Sequence, residues 1–139
     1  MKDSEREAAK HWLEALTPLY EKNEAAIHEI ASLNTESPPQ DWDQAFSNEN
    51  VSVLTTSIKP VKKLPKPKHK ELRKLRNDYK NLVADCIKAG HLYLKSYYAG
   101  GWSRLTLAKM VFWTGFANTR LEDFLRRLDK VRQEIEATT

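Results

Sequence analysis

Apolar side chains recur every three or four positions along three stretches of the chain, and polar side chains fill the positions between them. That spacing puts the apolar residues on one face of a helix. It predicts helices over residues 4–34, 68–98 and 103–137. Residues 35–67, between the first two helices, lack the pattern and are predicted to form a long irregular connector.

The link between the second and third predicted helices is short. Gly100 and Gly101 interrupt the helical pattern, and glycine readily adopts the conformations that end a helix and reverse the chain. Helices joined in this way pack as antiparallel neighbours. We therefore expect residues 1–139 to form a single all-α domain, a three-helix bundle built on an antiparallel helical hairpin.

Single residues predict where helices begin or bend. Ser4 stands three residues before Glu7, which is the spacing of a capping box and predicts the start of helix 1. Ser103 is predicted to cap helix 3. Pro18 cannot donate a helical hydrogen bond, so we expect either a kink there or a short separate first helix.

The connector differs from the helices in composition. Residues 51–58 are rich in β-branched side chains and are predicted to be extended. Residues 59–68 contain three prolines and five lysines. Prolines favour an extended, polyproline-like chain, and like charges stiffen it further.

Charge is unevenly distributed along the chain. Residues 1–50 carry four basic and eleven acidic side chains, whereas residues 59–80 carry ten basic and two acidic ones. Residues 81–139 carry nine basic and six acidic side chains, which brings the formal net charge to +4. Such asymmetry predicts an anionic partner, or a pairing of the acidic and basic segments with each other.

Lysines spaced along an extended chain and then along a helix can follow the phosphates of a nucleic acid, and they serve an anionic membrane surface equally well. The alternative is a solvated linker whose charge neutralises helix 1. Two arginines of the third helix join the basic segment as candidates. The predicted nucleic-acid-binding residues are Lys59, Lys62, Lys63, Lys66, Lys68, Lys70, Arg73, Lys74, Arg120 and Arg127.

About twenty residues of the third helix permit a second interpretation. Gly115 disfavours a helix interior, and residues 119–122 repeat the capping-box spacing, as if a new helix began there. With apolar Val111, Leu121 and Phe124 around Gly115, the segment resembles the helix-turn-helix pattern. That resemblance implies a second helix that contacts phosphates and base edges.

The same segment also fits one unbroken helix. Val111 stands where a helix-turn-helix prefers a small residue, and bulky Phe112, Trp113 and Phe116 crowd the supposed turn. A continuous helix would keep Gly115 on a seam where glycine permits close approach.

Aromatic residues also cluster near the Gly-Gly link, where they either close the end of the bundle or stack on a partner: Tyr93, Tyr97, Tyr98, Trp102, Phe112 and Trp113.

Patterns typical of catalysis and cofactor binding are missing. The chain contains neither a phosphate-binding glycine loop nor a nucleophile elbow, and its histidines do not form a zinc-binding motif. Cys86, the single cysteine, lies on an apolar stripe and is expected to be a core residue. We therefore expect a binding module without catalytic residues, metal or cofactor.

Two further expectations concern location. Residues 1–10 alternate charges instead of forming the apolar run of a signal peptide, and the longest uncharged run of the helices, residues 110–119, is too short to span a bilayer. We expect no transmembrane segment and a cytoplasmic location, or a nuclear one in a eukaryote.

Together these patterns predict a non-enzymatic helical module that binds nucleic acid through its basic segment. The alternative is a protein–protein assembly domain that pairs with a protein partner or forms a homodimer, because long amphipathic helices leave apolar surface to cover.

Overall fold

The computed structural model describes residues 2–33, 42–98 and 103–137. They form helices without a strand, which confirms the all-α prediction. The helices are α1 (Asp3–Ala31), α2 (Asn48–Thr55), α3 (Ile58–Lys62), α4 (Lys70–Tyr98) and α5 (Arg104–Glu136). The three long helices end within a few residues of their predicted bounds. The Gly-Gly link lies outside the described residues.

Helix α1 begins differently from the prediction. Its N-cap is Lys2, whose backbone N–H donates to the Glu5 carboxylate at 3.4 Å, so the capping box expected at Ser4 and Glu7 is wrong. The helix also continues through Pro18 without dividing in two. Leu16 and Tyr20, on either side of the proline, are both buried, so packing holds the two halves in one element.

The connector contains two short helices where extended chain was predicted. The Ser47 hydroxyl caps α2 by accepting from the Asn50 N–H at 3.2 Å, and Leu54 is buried against the bundle. A cap and a buried leucine outweigh the weak strand preference of β-branched residues. Prediction of an extended segment over residues 51–58 is therefore wrong.

The proline-rich segment is likewise helical at its start. Pro60 lies in the first turn of α3, where a missing N–H costs little because first-turn donors have no helical acceptor. An extended conformation over all of residues 59–68 is therefore wrong. Beyond α3, residues 63–69 are irregular as far as the start of α4.

Contacts between α4 and α5 run in opposite directions along the two sequences. The Lys88 ammonium lies 4.2 Å from the ring centre of Trp113, and the rings of Tyr79 and Phe124 are 5.3 Å apart. Residues nearer the start of α4 therefore contact residues nearer the end of α5, so the two helices are antiparallel.

Helix α1 packs against both of these helices. The Tyr20 ring lies 5.2 Å from that of Phe124 on α5 and 6.2 Å from that of Tyr79 on α4. The end of α1 is held by Asn118, whose amide donates to the Ala31 carbonyl at 2.9 Å. One continuous apolar core joins the three long helices with α2 and α3.

Helix α5 is continuous, so the turn implied by the helix-turn-helix resemblance is wrong. Ser103 caps it as predicted, accepting from the Thr106 N–H at 3.1 Å. Gly115 lies inside the helix on its exposed side, and a Cβ there would meet no atom within 4 Å. The close approach expected at Gly115 is therefore also absent from the described structure. Thr114 and Ala117, which are buried, anchor the same turn on the core side.

Candidate nucleic-acid interface

Eight of the ten predicted site residues lie in one region, where α3, the irregular residues 63–69 and the first turns of α4 meet. All eight side chains are exposed. We call this set the basic patch: Lys59, Lys62, Lys63, Lys66, Lys68, Lys70, Arg73 and Lys74.

The local sequence explains why these cations point outward. Val61, Leu64 and Pro67 recur every third residue, and all three are buried. Lysines occupy positions between them and are left on the solvent side. An apolar residue every third position therefore attaches the segment to the bundle, although it is too short to form a core of its own.

Hydrogen bonds to main-chain carbonyls hold the segment in place. Arg76 donates from Nε to the Leu64 carbonyl at 3.1 Å and from Nη2 to the Lys62 carbonyl at 3.3 Å. Trp12 of α1 donates from Nε1 to the Pro65 carbonyl at 2.7 Å. Sequence reasoning missed Arg76, because a cation that binds carbonyls cannot be told from its neighbours by spacing.

Few of the patch cations are neutralised. Among the described residues, the patch forms one salt bridge, between Lys74 and Glu71 at 3.8 Å. The acids of α1 pair within their own helix instead: Asp3 with Arg6 at 3.1 Å and Glu7 with Lys10 at 3.6 Å. In the described part of the chain, then, no acid of α1 forms a salt bridge with the basic patch.

The remaining two predicted residues lie on α5 and bind carboxylates of α4: Arg127 shares Glu71 with Lys74 of the patch, whereas Arg120 binds Asp85 further along α4. Arg127 donates to Asp78 at 2.8 Å and to Glu71 at 3.2 Å, so it binds both acidic side chains of the basic segment. Burial raises the pKa of Glu71, but the charges of Lys130, Lys74 and Arg127 lower it by more. The pKa of Glu71 is therefore below its usual value.

Arg120 pairs with Asp85, whose side chain is 6% exposed. Burial raises the pKa of Asp85, and the neighbouring Arg120 opposes that shift. A buried carboxylate needs such a partner, because an unpaired one is costly to desolvate. Arg120 and Arg127 are thus already paired with acids of α4, and a role for them in nucleic-acid binding stays a prediction.

A cleft of about 950 Å³ lies beside the patch, between α1 and the start of α4. Its walls combine apolar Trp12 and Leu72 with the cationic side chains of Lys68, Lys70 and Arg73. The cleft thus adds concave, partly apolar surface next to the exposed cations.

The described residues also bear on the predictions about metal binding, the cysteine and membrane helices. They contain no group of three or more histidine, cysteine, aspartate or glutamate side chains that could hold a metal ion. Cys86 is fully buried, which confirms its predicted place in the core, and burial raises the pKa of its thiol to about 12. Helices with the length and apolarity to cross a bilayer are likewise missing from the described segments.

Of the aromatic residues predicted to cluster near the Gly-Gly link, some are buried and others are exposed. Tyr93 is buried and stacks on Phe46 at 4.9 Å, whereas Phe112 is 55% exposed. The side chains of Tyr97, Tyr98 and Trp102 lie outside the described residues. In comparisons of the chain with protein-family models, curated proteins and solved structures, none of the three found a match.

Proposed function

We propose that this protein is a non-enzymatic helical module that binds nucleic acid through the basic patch. The observation that carries the proposal is eight exposed cations on a backbone segment held by Arg76 and Trp12, with a single carboxylate partner among the described residues. Unpaired cations attract phosphates and release their counterions, which gives salt-dependent affinity. A segment already held in place loses less conformational entropy on binding.

Binding is expected to depend on charge and to read little sequence. The continuous helix α5 lacks the turn that a helix-turn-helix needs to place a recognition helix in the major groove. Lysines contact phosphates, which are the same at every base pair, so they position a protein without specifying a sequence. Affinities for duplexes of different sequence should therefore be similar.

Fluorescence anisotropy of a labelled duplex over a salt series tests the proposal. If the eight cations each contact a phosphate, log K should fall with log salt with a slope of about −7. Replacing Lys62, Lys63, Lys66 and Lys68 by alanine should reduce that slope by about half. Absence of binding at low salt would overturn the proposal.

A matched control separates local from overall charge. Replacing Lys10, Lys22, Lys95 and Lys109 by alanine also lowers the formal net charge from +4 to zero, but from exposed positions outside the patch. This variant should keep most of the affinity. Equal losses in the two variants would show that net charge, and not the patch, attracts the polyanion.

A second candidate function is protein–protein assembly, which a different observation favours. Helix α5 exposes large apolar side chains on the side away from the core: Leu105 is 67% exposed, Phe112 55% and Val111 50%. Apolar patches of this kind are rare on soluble monomers unless a partner covers them.

A further inference from the structure

The exposed apolar residues of α5 form one continuous strip, which we call the α5 face: Leu105, Ala108, Val111, Phe112, Gly115 and Phe116. Positions three, four and seven apart lie on the same side of a helix, so these residues are neighbours. Phe112 and Phe116 pack edge to face with ring centres 4.4 Å apart. In the described structure they have no covering helix.

The α5 face contains both a ridge and a notch. The two phenylalanine rings form the ridge, and Gly115 leaves the notch, since a Cβ there would have open space around it. A second copy of the same surface offers the complementary parts. Small residues such as Ala108 and Gly115 also allow two helices to approach closely.

Exposed positions of α5 follow the alternating four- and three-residue steps of a helix–helix seam: 104, 108, 111, 115, 118 and 122. Of these, Asn118 also donates to the Ala31 carbonyl at the end of α1. Residues 110–119 carry no charge. The ends of the seam are oppositely charged, with Arg104 at the start and Glu122 at the end, and neither has a salt bridge in the described residues. Each lies nine positions from residue 113.

We propose that the α5 face binds a second copy of this chain, with the two α5 helices antiparallel and crossing near residue 113. In that arrangement Arg104 of one copy faces Glu122 of the other, twice over, and Val111, next to the phenylalanine ridge of each copy, faces the glycine notch of its partner. A parallel arrangement would place Arg104 against Arg104. The inference rests on the second candidate function and is independent of nucleic-acid binding.

Sedimentation equilibrium over a range of concentrations gives the first test. The mass should rise from 16.1 kDa towards twice that value. Replacing Phe112 and Phe116 by glutamate should hold the mass at the monomer value, while the basic-patch variant should dimerise normally. A strict monomer, or a dimer unaffected by the phenylalanine changes, would overturn the proposal.

Charge reversal tests the antiparallel arrangement. R104E alone or E122R alone should weaken the dimer about tenfold, because two attractive pairs become repulsive. The double variant R104E/E122R should restore the wild-type dissociation constant. If the single variants have no effect, or if the double variant fails to restore dimerisation, the arrangement is wrong.

Cross-linking adds a positional test. The double variant V111C/G115C should form disulfides between two copies on mild oxidation, because residue 111 of one copy faces residue 115 of the other. Gln133→Cys is a matched exposed control far from the crossing, and it should not cross-link. Monomeric wild-type protein that binds anionic vesicles through Phe112 would overturn the proposal, because the α5 face would then contact a membrane surface and not a second copy.

Discussion

The side-chain amide of Asn23 on α1 donates a hydrogen bond of 2.9 Å to the hydroxyl of Tyr79 on α4, and both residues are fully buried. Ser57, at the start of α3, donates to the amide oxygen of Asn23 at 2.8 Å. The Tyr79 hydroxyl in turn donates to the Leu19 carbonyl at 3.3 Å. Burial raises the pKa of Tyr79 to about 12, so the hydroxyl remains neutral. The Asn23 amide thus links α1, α3 and α4 by buried hydrogen bonds.

Replacing Asn23 by alanine should lower the free energy of unfolding by about 1–2 kcal/mol, because it removes two buried hydrogen bonds, while Ser57 and Tyr79 keep their bonds to the Val53 and Leu19 carbonyls. Urea denaturation measures the loss. Asn77→Ala, on the exposed side of α4, is the control and should change stability by less than about 0.5 kcal/mol. Equal effects at the two positions would contradict a structural role for the buried amide.

Arg120→Ala should destabilise the protein at neutral pH by about 1–3 kcal/mol, since it leaves the Asp85 carboxylate buried without its partner. Urea denaturation again provides the measurement. Arg126→Ala is the control, because its pair with Asp123 is exposed and should contribute at most about 0.5 kcal/mol.

The effect of Arg120→Ala should depend on pH. The folded pKa of Asp85 lies above its ordinary value of 3.8, so the folded state disfavours the ionised form. Stability from this group therefore falls as pH rises from 3.8 through the folded pKa. Loss of Arg120 raises that pKa further, so the difference from wild type should be largest at neutral pH and shrink below the folded pKa. A difference that is constant with pH would contradict this account.

Glu71→Gln should raise the affinity for duplex DNA several-fold at low salt, because it removes the acid that pairs with Lys74 at the edge of the basic patch. Anisotropy titration detects the change. Glu49→Gln removes the same charge at the start of α2, whose Val51 lies beside Gly90 towards the other end of α4, and it should have less effect. Unchanged affinity in Glu71→Gln would indicate that the polyanion does not lie over this turn of α4.

In the monomeric Phe112→Glu/Phe116→Glu background, where the second copy proposed above is absent, Gly115→Ala should stabilise the protein by about 0.5–1 kcal/mol, since alanine favours a helix and its Cβ meets no neighbour within 4 Å. The reverse change, Ala108→Gly, is exposed on the same helix and should destabilise by a similar amount. Thermal or urea unfolding measures both. Destabilisation by Gly115→Ala would imply a break in α5 at that position.

Local patterns predicted the long helices well, because spacing and caps depend on residues close together in the sequence. Ser103 caps α5 as its position indicates, and Cys86 is buried where the apolar stripe places it. The same reasoning failed for residues 51–58, since strand preference is weak compared with the burial of Leu54 against the bundle.

The chain's pattern alone determined the all-α class, the approximate bounds of the long helices and the concentration of cations over residues 59–80. Tertiary contacts decided which cations remain unpaired. Arg127 and Arg120 bind Asp78 and Asp85 across two helices, and Arg76 binds carbonyls up to fourteen residues away along the chain. Such pairings depend on how the helices pack, and a one-dimensional pattern contains no record of which side chains meet across that packing.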